Sequence, residues 1–175
     1  MLRFRRFTVV GPLTQAPGFH SWDGWMDLAL AQARMGLAAG EVPVGALVID
    51  PAGAILAAFS NRVERDHDPA GHAEILCLRE AGRKLRNHQL GGCVLVATLE
   101  PCAMCAAACL NSRIAGIVFG ALDVQAGAII SNADLLDFPD KRHHPWHMGG
   151  VRSGESAALL NSFFRERRNR LHPSA

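Results

Sequence analysis

The chain has 175 residues, 49% of them apolar, with a formal net charge of +2. That length supports one domain with a substantial core, and the charge excludes a binder of polyanions over its whole surface. No run approaches the roughly 18 apolar residues of a membrane span, and five cysteines without framework spacing exclude a secreted disulfide scaffold and point to the cytoplasm.

The first 20 residues carry basic residues and a short apolar run that Gly11 and Pro12 interrupt. They read as an N-terminal extension of uncertain order (1–20) rather than a signal peptide, ahead of a single domain over 21–175. Ser21 is placed to cap a helix running to about Ala39. Met26, Ala29, Leu30, Ala33 and Leu37 fall on one face of it, and Asp23, Asp27 and Arg34 on the other. "VGALVID" and "AILAAFS" read as strands joined by a turn at Pro51-Ala52-Gly53. "HAEILCLREAGRKL" then predicts a helix, "CVLVATL" a buried strand, "CAMCAAACLNS" a helix and "IAGIVFGAL" another strand. From Asp123 to Gly150 the pattern is irregular, with a weak strand at best near "HHPWHM", where Pro145 argues against a central one. "ESAALLNSFFRERRNRL" closes the chain as a helix with Leu160, Phe163 and Phe164 on its buried side. Alternating strands and helices imply helices on both faces of one sheet, a three-layer α/β/α domain.

Cys102 and Cys105 stand i and i+3 on the helix expected to start at Pro101. Proline suits a first helical turn, and the free N–H groups there favour thiolate over thiol. A lone C-x-x-C also fits a redox pair or half of a structural zinc site. There is no second C-x-x-C to complete four thiolates, and the pair follows several elements rather than a first strand. His72 and Glu74 open the earlier helix. Helix N-termini gather at the carboxyl edge of an α/β sheet, so His72, Cys102 and Cys105 provide three ligands for one Zn2+ with a fourth position open. Glu74 stays free to move protons. Cys77, Cys93 and Cys109 read as small core residues, and His143, His144 and His147 as loop or surface residues.

H-x-E followed by P-C-x-x-C matches the known signature of zinc-dependent nucleobase deaminases. From about Trp25 to Arg168 the chain also resembles the bacterial tRNA-specific adenosine deaminases, within the cytidine deaminase-like superfamily. The resemblance rests on "EVPVGALVI", "NRVERDHDPAGHAEI", "TLEPCAMCAAA", "SRIAGIVFGALD", the "AGA" at 126–128 and "ALLNSFFRERR". It implies a cytidine deaminase-like fold with a central mixed sheet, and deamination of adenosine to inosine at the wobble position of a tRNA anticodon loop. It further implies Glu74 as proton shuttle, Asn61 as a hydrogen-bonding partner of the base, and Asp123 as an acid that helps to hold the RNA. The C-terminal segment with Phe164, Arg165, Arg167 and Arg168 would meet the anticodon stem-loop, and the family is homodimeric.

Three features depart from that family. Leu122 and Gln125 stand where it carries basic residues, and "HHPWHM" lacks its usual Asn-His-Arg opening. Fewer cations mean weaker phosphate contacts. Two alternatives therefore stand beside the tRNA reading: a deaminase of a free nucleobase or nucleoside (guanine, cytosine or cytidine), and a non-catalytic zinc-binding module. Glu74 opposes the second, because a structural site needs no free carboxylate.

Overall fold

The computed structural model describes residues 21–137 and 143–171; the expected extension at 1–20 lies outside the described residues, as do 138–142 and 172–175. The elements in order are α1 (Trp22–Ala38), β1 (Gly45–Ile49), β2 (Ile55–Ser60), α2 (Val63–Asp66), α3 (Ala73–Leu85), β3 (Val94–Leu99), α4 (Ala103–Asn111), β4 (Gly116–Ala121), β5 (Trp146–Met148) and α5 (Ser153–Leu171). Ser21 caps α1 by accepting from the Gly24 N–H. Asp50 closes the β1–β2 turn by accepting from the N–H groups of Ala52 and Ala54 at 2.9 and 2.8 Å. Gly53 sits at φ 84°, in the left-handed region that glycine enters without penalty.

The strands form one mixed sheet in the order β2-β1-β3-β4-β5. β1 runs antiparallel to both β2 and β3, whereas β3, β4 and β5 are parallel. Side chains alternate between two apolar faces, as the pleat requires. Ala46, Val48, Leu95, Ala97, Ile117 and Phe119 pack with Cys77 and Leu78 of α3 and with Ala106, Cys109 and Leu110 of α4. Leu47, Ile49, Val94, Val96 and Val118 pack on the other face with Trp25, Met26, Ala29 and Leu30 of α1, joined by Leu159 of α5. This is the three-layer α/β/α architecture. A Cβ at Gly45 would strike the Ala29 carbonyl and the Ala33 N–H, so glycine is what lets α1 lie this close to β1.

The register brings four strand ends to one edge. Gly45 at the start of β1 faces Ser60 at the end of β2, and Leu99 at the end of β3 faces Ala121 at the end of β4. The Gly45 N–H also donates to Thr98 Oγ1 at 3.1 Å. Residues 41–44, 61–72, 100–102 and 122–131 therefore gather along this one edge.

Some helix details differ from the expectations. α2 has four residues, below the length at which an apolar period shows. The last helix starts at Ser153, two residues before the expected Glu155. Phe164, expected on the buried side, is 43% exposed, because α5 is exposed from there to Arg170.

Candidate active site at the carboxyl edge of the sheet

Two helix starts meet at this edge. His72 is the N-cap residue of α3 and Cys102 that of α4, both with extended backbone. α4 begins at Ala103 rather than at the expected Pro101, since Cys102 is held extended in an isolated bridge to Gly127. Cys105 lies one turn on and is fully buried. His72 Nδ1 stands 3.7 Å from Cys102 Sγ and 3.5 Å from Cys105 Sγ. Among the described residues these three form the one group of His, Cys, Asp or Glu atoms placed to share an ion, all within 4.8 Å of one another.

The geometry fits zinc. A tetrahedral ion with bonds of about 2.3 Å to sulfur and about 2.0–2.1 Å to nitrogen spaces those atoms about 3.5 Å apart. The electrostatics agree. A hydrogen bond from the Cys105 thiol, opposed by burial and reinforced by His72, pulls the Cys102 thiol down to about 4. Cys105 moves up, because it donates to Cys102 and is itself buried. The hydrogen bond to Cys102 also raises His72, against its own burial. A divalent cation binds thiolate and neutral imidazole, so binding here would release the protons of these three groups.

Glu74, on the first turn of α3, is 3% exposed. Burial pushes its carboxyl above the usual carboxylate value, against the pull of its own backbone N–H and of His72. It lies close enough to interact with His72, Cys102 and Cys105. A buried carboxyl with its pKa moved toward neutrality, beside a three-ligand metal position, suits proton transfer.

Asn61 and Asp123 are the outer candidates, and each is held by a buried glutamate to which the sequence reading assigns no role. Asn61, expected to meet the base, is 7% exposed. Its N–H donates to the Val44 carbonyl at 2.9 Å and its Nδ2 donates to Glu41 Oε2 at 3.1 Å. The next residue, Arg62, donates its N–H to the Gly71 carbonyl at 2.9 Å, which ties this loop to the residue before His72. Asp123 donates its N–H to Glu100 Oε2 at 3.1 Å, and its own Oδ1 accepts from the N–H groups of Gln125 and Ala126. Glu100 also accepts from the N–H groups of Ile129, Ile130 and Ser131 and from the Ser131 hydroxyl. Burial works to raise its pKa, but these donors together hold it below the ordinary carboxylate value. A Cβ at Gly127 would strike the Glu100 carboxyl, so glycine is needed for the loop to close on it. The signals for them in the sequence are their places in "EVPVGALVI" and "TLEPCAMCAAA" and a lone carboxylate beside an apolar strand: Glu41 ahead of β1 and Glu100 after β3.

Other expectations resolve simply. Cys77, Cys93 and Cys109 are buried core residues, 0–1% exposed. His143 Nε2 contacts the Ile114 carbonyl at 2.6 Å and His144 Nδ1 the Leu136 carbonyl at 3.0 Å, so both order the loop entering β5, where His147 lies. On α5, Arg165, Arg167, Arg168 and Arg170 are exposed. Arg167 approaches Glu64 of α2 at 3.7 Å and lies over the Phe163 ring, 6.0 Å from its centroid. That contact brings the arginine end of α5 beside the Asn61 loop. No helix among the described residues is long and apolar enough to cross a membrane.

Known proteins agree with this site. Residues 21–121 match the family model for the cytidine and deoxycytidylate deaminase zinc-binding region. The tRNA-specific adenosine deaminase of Aquifex aeolicus is 39% identical over 148 residues, covering 84% of this chain and 96% of that one. A solved tRNA:A34 deaminase, studied for A-to-I editing at the wobble position of transfer RNA, superposes with a TM-score of 0.75 at 38% identity over 78% of this chain and 99% of that one. The guanine deaminase of Nitrosomonas europaea superposes with a TM-score of 0.70 at 25% identity over 93% and 96%. The chain thus belongs to the tRNA-specific adenosine deaminases, within the cytidine and deoxycytidylate deaminase zinc-binding family.

Proposed function

We infer that this chain catalyses hydrolytic deamination of adenosine to inosine at the wobble position of a tRNA anticodon loop, with one zinc per chain. The observation that carries the deamination is the buried Glu74 beside the His72–Cys102–Cys105 cluster, and the 39% identity to the tRNA-specific adenosine deaminase of Aquifex aeolicus supports the tRNA substrate. Zinc, when held by those three side chains, activates a water by lowering its pKa toward about 7. Glu74 takes the proton of that water and delivers it to the ring nitrogen as oxygen adds at C6 of adenine. It then takes the proton of the new C6 hydroxyl and passes it to the amino group, so that the C6–N bond breaks, ammonia leaves and the C6 carbonyl of inosine forms. Asn61 hydrogen-bonds the base. An anticodon loop suits such a pocket because its bases are single-stranded and can be splayed out of the stack.

Asp123, Phe164, Arg165, Arg167 and Arg168 form the RNA-holding surface. The exposure of Phe164 and the arginines, and the contact between Arg167 and α2, support that assignment. The active form is a homodimer working in the cytoplasm. Its support is an apolar rim beside the pocket, where Met104, Leu122, Val124 and Ile130 are 37–77% exposed. The domain extends over residues 21–175.

Leu122 and Gln125, exposed where the family is basic, favour deamination of a free base such as guanine as a second reading. Incubation of zinc-loaded protein with unmodified tRNA, followed by nucleoside analysis, should yield inosine. Tests on tRNA that leave every adenosine intact would reject the first reading.

A further inference from the structure

Glu41 lies in the turn between α1 and β1, with 1% of its surface exposed. Three donors reach its carboxylate: Asn61 Nδ2 at 3.1 Å, the Glu64 N–H at 3.3 Å and the Arg65 N–H at 2.8 Å. All three are neutral amides, two of them from the first turn of α2. The asparagine amide has a donating end and an accepting end of nearly the same shape. The end that faces Glu41 is the NH2, which donates to Oε2.

We propose that Glu41 is a positioning residue that fixes which end of the Asn61 amide meets the substrate. With Nδ2 anchored, Asn61 has Oδ1 and one Nδ2 hydrogen left to offer. That is the acceptor–donor pair with which an asparagine reads the N6 and N7 edge of adenine. The backbone holds the same alignment, through the Asn61 N–H to Val44 and the Arg62 N–H to Gly71 beside the metal cluster. Glu41 thereby sets the amide relative to His72 without touching the base. The inference rests on Asn61 being the base-binding residue of the proposed function.

The test is a double-mutant cycle on kcat/KM for tRNA deamination, with zinc content and melting temperature measured on every variant. Glu41→Gln keeps the size of the side chain but presents an NH2 group that can turn the Asn61 amide over. It should lower kcat/KM about tenfold, the scale of one misplaced hydrogen bond. In an Asn61→Ala background the same change should cost less than about twofold, because its target is gone. Equal losses in both backgrounds, or a loss that follows melting temperature, would mean that Glu41 only caps α2, and the inference falls while the Asn61 assignment stands. Full activity of Asn61→Ala overturns both. If Glu41→Gln does not fold, Glu41→Asp displaces the acceptor by one methylene and replaces it in the cycle, where the same losses support or overturn the inference.

Discussion

At the metal pocket Cys105 is fully buried and Glu74 is 3% exposed, and His72 and Cys102 are fixed as helix N-caps. At the far end of α5, four arginines and Phe164 stand in solvent, where Arg167 contacts Glu64 at 3.7 Å. Bond-making chemistry needs reacting groups held to fractions of an ångström, which burial and caps supply. A polyanion needs charge within reach rather than fixed geometry, which long exposed side chains supply. Damage to the first region should therefore stop turnover of any substrate. Damage to the second should be felt only by RNA.

The largest effect is expected at the ligands. Cys102→Ala with Cys105→Ala should abolish zinc binding and activity and lower the melting temperature, since the free energy of metal binding is also folding free energy. Atomic absorption checks it; one zinc per chain in the double variant would remove the site. Glu74→Ala comes next. It takes away no ligand, so zinc and fold should persist while kcat falls by about 10² or more. Near-normal turnover in that variant would place the proton transfer elsewhere.

Smaller effects should appear at α5. Neutralising Arg165 and Arg168 should weaken tRNA binding and flatten the plot of log affinity against log salt by about 0.7 per lost contact. Arg167→Ala should do less, because its guanidinium already leans on Glu64. An unchanged slope would make this end of the helix a solvated face. The apolar rim gives the last prediction: light scattering at micromolar concentration should report about twice the 18.8 kDa chain mass. A fully active monomer would refute the dimer.

The contrast also explains what is legible in the sequence. Metal chemistry accepts few residue types, and helix starts fix their spacing, so His72, Glu74, Cys102 and Cys105 stand out together. The core cysteines are legible too: Cys77 follows its helix's apolar face, and Cys109 follows an alanine run. Glu41 and Glu100 stand in the quoted "EVPVGALVI" and "TLEPCAMCAAA", but their roles are not legible, because their donors lie 20 to 31 residues away along the chain and leave no local pattern. β5 has three residues and exists through its pairing with β4. Phe164 shows the limit of periodicity, which can place a residue on a helix face but cannot say whether anything covers that face.

The central claim is that a general deamination pocket has been directed to tRNA by the surface around it. A competition reaction tests it most directly: zinc-loaded wild type with an anticodon stem-loop carrying a wobble adenosine, and guanine present in the same tube. The account predicts inosine in the stem-loop and no xanthine. Xanthine and ammonia from guanine, with the stem-loop untouched, would contradict it.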